Sequence, residues 1–91
     1  MAIRFTWDGD KRISNIRDHG LDFVDAALVF EGVTMTYEDD RFDYGEQRFV
    51  TLGMLKGVLV SIVHTEDDER IHLISLRRAT GREARIYGEN I

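Results

Sequence analysis

The sequence predicts an α+β fold in which an N-terminal strand and two helices pack on a twisted antiparallel β-sheet, closed by a C-terminal helix. Three features predict it. Apolar and polar residues alternate with the period of a half-buried strand at 3–7, and 47–55, 58–65 and 70–77 read as strands joined by two tight reversals. Between these stretches, two Asp-led segments with helical spacing end at Gly20 and Gly32. Thr80-Gly81-Arg82-Glu83 then carries the hydroxyl and carboxylate of a capping box, which satisfies free amides at a helix start. At 91 residues the chain is expected to form a single domain, 1–91, around one small core.

Ile3, Phe5 and Trp7 alternate with Arg4 and Thr6, so residues 3–7 form the first strand. Asp8 is placed to cap a helix over 9–19. Asp10 suits the positive end of its dipole, and Gly20 supplies the left-handed residue after His19. Asp22 opens a second helix whose apolar face is Phe23, Ala26, Ala27 and Phe30, ending at Gly32. Residues 33–38 read as a strand, and the four charges in 39–45 make that stretch a solvent-facing loop. Strands at 47–55 and 58–65 flank Lys56-Gly57, a two-residue hairpin turn. A strand over 70–77 follows the reversal at Glu66-Asp67-Asp68-Glu69, and the last helix runs through about Tyr87.

Short hairpin loops also fix register. Leu55 opposite Val58 sets Phe49 against His64 and Arg48 against Thr65. Glu66 opposite Glu69 sets Thr65 against Arg70, Val63 against His72 and Ser61 against Ile74. One sheet face then carries Arg48, Thr65 and Arg70 in a row with His72 one step inward. The other carries Phe49, Thr51, Ile62, His64, Ile71 and Leu73, an apolar floor for the helices.

Composition narrows the chemistry. The absence of Cys excludes a disulfide framework, a thiol nucleophile and a zinc ribbon. Ser14, Ser61 and Ser75 lie in no Gly-x-Ser-x-Gly context, and His19, His64 and His72 show no helical metal-ligand spacing, so neither a cofactor nor a metal is expected. No window is long and apolar enough to span a membrane, and the first residues lack the apolar stretch of a secretory signal, so a cytoplasmic location without membrane contact is expected. The net charge of -5 is unevenly spread: residues 1–68 hold seven basic and fourteen acidic side chains, whereas 69–91 hold five Arg and three acids. Those five, Arg70, Arg77, Arg78, Arg82 and Arg85, suit bidentate recognition of phosphate or carboxylate. Among the histidines, His64 reads first as a hydrogen-bonded core residue, His19 as a helix C-terminal cation, and His72 as the strongest acid–base candidate. Trp7, Phe23 and Phe30 read as core aromatics.

The ordered set Phe5-x-Trp7-Asp8, Lys11, Asn15, His19-Gly20, Phe23, Ala26 and Phe30 resembles the N-terminal half of BrnT-type toxins. Gly45-Glu46 with Arg48, Gly53, His64-Thr65, and Arg70 through Ile74-Ser75-x-Arg77-Arg78-Ala79 with Glu83 and Tyr87 resemble the second half. Leu76 departs from the small Ala that many relatives place there. The resemblance implies a RelE-like ribonuclease fold and a BrnA-type ribbon-helix-helix antitoxin as partner. A heterotetramer is the expected assembly, and operator DNA is reached only through the antitoxin. Catalytic roles in RNA cleavage are expected for Arg48, His64, Arg70, His72 and Arg77, and RNA contacts for Lys11, Glu46, Arg78 and Arg82. A metal-independent endoribonuclease toxin follows. The alternative is a non-enzymatic module whose Arg-rich groove accepts an acidic peptide.

Overall fold

The computed structural model describes residues 3–41, 43 and 45–91. Strand β1 (Arg4–Trp7) leads into helix α1 (Gly9–His19); one 3-10 turn at Phe23–Asp25 precedes the short helix α2 (Ala26–Glu31); strands β2 (Thr34–Asp39), β3 (Arg48–Leu55), β4 (Val58–Glu66) and β5 (Arg70–Arg78) follow, and helix α3 (Gly81–Asn90) ends the chain. The loop expected over 39–45 starts one residue later, because Asp39 closes β2, and its Phe42 and Tyr44 lie outside the described residues.

The caps act as their chemistry dictates. Asp8 accepts from the amides of Asp10 and Lys11, and Gly20 ends α1 at φ 70. Asp22 accepts from the Val24 amide, but it starts the 3-10 turn rather than the α-helix itself. Thr80 and Glu83 complete both halves of the capping box on α3. Lys56 and Gly57, at φ 50 and 84, form the tight left-handed turn that joins β3 to β4 in the expected register, with Leu55 opposite Val58 and Phe49 opposite His64.

Two expectations about the sheet are corrected. Its order is β1-β5-β4-β3-β2, and β1 runs parallel to β5, so the sheet is mixed rather than wholly antiparallel. The crossover from β1 through both helices and the meander makes that pairing possible. The β4–β5 register also moves. The Asp67 carboxylate accepts from the amides of Glu69 and Arg70, and the Asp67 amide donates to the Arg70 carbonyl. The reversal therefore centres on Asp68-Glu69. Thr65 faces His72 instead of Arg70, and Glu66 faces Ile71. A bulge between Val63 and His64 shifts the ladder once more, which sets Val63 against Ser75 and Ser61 against Arg77.

The sheet has two covered faces. On the first, Phe23, Ala26 and Val29 pack on Val60, Ile62, Ile71, Leu73 and Leu76, all buried. Here α2 crosses close over β3: a Cβ on Gly53 would come within 2.7 Å of the Val29 side chain. On the second face, Ile86 and Tyr87 of α3 cover Val50, Leu52, Leu59 and Val63. That helix reaches only part of its face.

β1 pairs with β5 only as far as Leu73, which would leave the Leu76 amide and carbonyl unpaired at the sheet edge. Asn15 of α1 fills the gap. Its side-chain amide donates to the Leu76 carbonyl at 2.8 Å and accepts from the Leu76 amide at 3.0 Å, as a neighbouring strand would. It also donates to the Leu21 carbonyl, 2.9 Å away. Asn15→Leu should cost about 2–4 kcal/mol, because two buried backbone groups lose their partners together. Urea unfolding of the variant checks this, and Asp10→Ala, on the exposed side of the same helix, should cost well under 1 kcal/mol.

Candidate functional site

The second face beyond the reach of α3 presents a polar strip that crosses every strand. Asp39 of β2 faces Arg48 of β3. Arg48 and Thr65 lie one step past the Phe49–His64 pair, Thr65 faces His72 of β5, and His72 faces Thr6 of β1. Directly opposed residues share a sheet face, so Asp39, Arg48, Thr65, His72 and Thr6 form one transverse row.

Asp39 and Arg48 are held from outside the row, and Thr6 and His72 hold each other. The buried Asp39 carboxylate is clasped by Arg41 at 2.8 and 3.0 Å. Arg48 donates from Nε to Glu46 Oε2 at 3.0 Å, with about a quarter of its side chain exposed. The half-buried His72 has Nδ1 2.8 Å from Thr6 Oγ1. That contact commits Nδ1, and among the described residues no hydrogen bond occupies Nε2. Cation, hydroxyl and imidazole thus stand in line, with one ring nitrogen open to the groove.

The remaining candidates fall in other places. Arg70 is exposed at the start of β5, beside the row, with a 3.4 Å contact to Asp67. Arg77 shares the face of His72, but four residues along β4 separate their partners, about 13 Å at the rise of a strand. Its guanidinium donates to both Glu83 oxygens at 2.8 and 3.0 Å, and Ser61 and the Thr80 amide bind the same carboxylate. Burial alone would raise the Glu83 carboxyl, yet the hydrogen bonds led by Arg77 outweigh it and hold the group below the usual range. Arg77 is therefore neutralised and ties α3 to the sheet. Arg82 is exposed in the first turn of α3, on the rim of a cavity of about 390 Å³ that Tyr37, Val63 and Arg77 also line. Arg78 is exposed opposite Val60, facing away from the row, and Lys11 and Glu46 are exposed on α1 and ahead of β3.

His64 is not brought to the row. It lies wholly buried on the opposite face, between Phe30 (ring centroids 5.5 Å, edge-on) and Phe49 (6.0 Å, stacked). Its Nε2 is 2.7 Å from Thr51 Oγ1, which is 2.7 Å from Thr36 Oγ1. Burial pushes its pKa down to about 4, so the ring is neutral and part of the core. Sequence reasoning missed Thr6 as a member of the row, since its place depends on the parallel β1–β5 pairing. The only signal was its position between Phe5 and Trp7, which turns it to the polar face.

Among the described residues no three His, Asp or Glu side chains converge in the manner of a metal site, and no helix is long and apolar enough to cross a membrane.

Residues 7–83 match the sequence profile of a family described as the ribonuclease toxin BrnT of type II toxin–antitoxin systems. The fold is similar to the crystal structure of the Brucella abortus ribonuclease toxin BrnT, with 28% identity, 87% of this chain and 99% of that chain covered, and a TM-score of 0.70. No curated protein sequence matches the chain.

The depressed His64 has a sign-definite consequence. Between an unfolded value near 6.5 and the folded value of about 4, the unfolded chain binds the extra proton, so stability is complete above pH 6.5 and declines as pH falls toward 4. The loss reaches up to about 3 kcal/mol. Melting temperature measured from pH 7.5 to 4 should fall through this window, and His64→Leu should flatten the slope while lowering the plateau, because Thr51 loses one of its two side-chain partners.

Proposed function

The chain belongs to the BrnT ribonuclease toxins of type II toxin–antitoxin systems, and from that premise we propose that it is a metal-independent endoribonuclease whose working surface is the Arg48–Thr65–His72–Thr6 row. The observation that carries this reading is the 2.8 Å contact from Thr6 to His72 Nδ1, which leaves Nε2 as the base on the same face as Arg48. Two strand spacings separate Arg48 from His72, about 10 Å between backbones. An extended Arg side chain closes that gap to the reach of one phosphodiester.

The chemistry follows from what RNA brings. The 2′-hydroxyl is already tethered beside its phosphorus, and correct alignment of such an intramolecular nucleophile is worth several powers of ten. His72 Nε2 takes the 2′-hydroxyl proton, which requires the Nδ1–H tautomer with Thr6 Oγ1 as acceptor. The 2′-oxygen bonds to phosphorus, the bond to the 5′-oxygen breaks, and that oxygen takes a proton from water. The products are a 2′,3′-cyclic phosphate and a 5′-hydroxyl. Arg48, aligned by Glu46, and Arg70 stabilise the extra negative charge on the pentavalent phosphorus. Arg77 serves by fixing α3 beside the groove, and Arg82, Arg78 and Lys11 are outlying contacts to the RNA backbone. His64 supports the face from behind. With a net charge of -5, RNA affinity comes from this local strip rather than from the molecule as a whole.

The partner is a BrnA-type antitoxin with a ribbon-helix-helix domain. Because such domains dimerise, the complex is a heterotetramer that meets operator DNA only through the antitoxin. Co-expression with the adjacent reading frame should yield a single co-eluting complex; separate elution would contradict the pairing. The site predicts that Arg48→Ala and His72→Ala each lower RNA cleavage by at least about 10²-fold with unchanged circular dichroism. Thr6→Val should lower the cleavage rate but not the Michaelis constant, and Thr6→Ser should restore it. Cleavage should persist in EDTA; complete dependence on added Mg²⁺ would reject the mechanism.

A further inference from the structure

β1 is a four-residue edge strand with β5 on one side only. The Arg4 amide donates inward to the Glu69 carbonyl at 2.9 Å. Since successive residues alternate along a strand, the amide and carbonyl of Phe5 point outward, and among the described residues neither has a hydrogen-bond partner. Such unpaired outward groups on a strand edge are a template for another extended chain.

The two sides of this edge differ in chemistry. On the helix side lies an apolar groove of about 390 Å³ lined by Ile3, Phe5, Ala27, Phe30 and Ile71, with Glu31 as the one charged lining residue among the described residues. Ile3 is 44% exposed there. On the side of the His72 row, Arg4 and Arg70 are direct partners, both exposed, so two Arg side chains leave neighbouring backbone positions on one face. Of these two guanidinium groups, only that of Arg70 meets the Asp67 carboxylate among the described residues, at 3.4 Å. A strand laid along β1 would therefore meet apolar surface with one set of side chains and paired positive charge with the alternate set.

We propose that the β1 edge is the docking site of an extended antitoxin segment in which acidic and apolar residues alternate, added as a sixth strand. Its apolar side chains fill the Ile3–Phe30 groove and its carboxylates pair with Arg4 and Arg70. Those carboxylates lie beside Thr6, one strand from His72, so docking obstructs the catalytic row from its flank. That the segment belongs to the antitoxin rests on the toxin–antitoxin reading; the edge itself does not.

The test uses the full chain, ¹⁵N-labelled, titrated with a blocked synthetic octapeptide of alternating Glu and Val. Amide shifts should centre on residues 3–7, 27 and 30, and hydrogen exchange at Phe5 should slow at least tenfold. Ile3→Glu and Arg4→Glu, both at exposed positions, should each weaken binding at least fivefold. The same peptide N-methylated at alternate residues, unable to pair its backbone, should not bind. Shifts centred on Arg82 and Arg85, binding indifferent to N-methylation, a Phe5 amide already protected by self-association, or no shifts at millimolar peptide would each overturn the proposal. Protection of Phe5 in a protein that fails to cleave RNA would remove the ribonuclease reading and leave the docking edge standing.

Discussion

One irregularity in the β4–β5 ladder decides what the two faces of the sheet contain. Strand residues alternate sides, so His72 and Arg77, an odd number of positions apart, would face opposite ways in a regular strand. The bulge between Val63 and His64 inserts one residue on β5. Leu73 and Leu76 can then both enter the helix-covered core, while His72 and Arg77 both turn to the other side. The place of Leu76 in the core and that of Arg77 beside α3 are consequences of the same shift. Asn15 secures it from α1 by holding the Leu76 backbone immediately after the bulge.

Buried polar groups then lock the helices to this frame. Glu83 joins the α3 cap to Ser61 and Arg77, so one carboxylate specifies where the helix starts and where it docks. On the opposite face, His64 is fixed by Thr51 and sandwiched by aromatic rings. The Glu83 network offsets its desolvation only when every partner is present, which makes it specific rather than strongly stabilising. The result is a firm support under Arg48 and His72, the side chains proposed to act on RNA, a role that demands placement within fractions of an ångström.

Much of the fold was legible because local chemistry specifies it. Asp8, Gly20, Lys56-Gly57 and Thr80–Glu83 each announce a boundary through their own hydrogen-bonding or left-handed conformation, and each acts there. The first hairpin register followed from the turn. The second did not, because Asp67 can bond to either of two nearby reversals and only the finished hairpin selects one. The bulge and the parallel β1 have no local signature either, since both arise from contacts between distant segments. Hence the polar face was visible in Arg48 and Thr65, but Thr6 was not, and His72 took the place in the row expected for Arg70.

Arg77 shows the limit of reading charge from sequence: a cation in a basic cluster turned out to be half of a partly buried ion pair. What remains on the open face is an imidazole, a cation and a hydroxyl, a set that, on the proposed reading, suffices only if the substrate supplies its own nucleophile. A short RNA carrying a single 2′-deoxy sugar at the scissile position tests that claim most directly. Cleavage should vanish at that position while continuing elsewhere, and the undeoxygenated substrate should end in a 2′,3′-cyclic phosphate. Cleavage at the deoxy position would contradict the account, because it would require a nucleophile other than the 2′-hydroxyl.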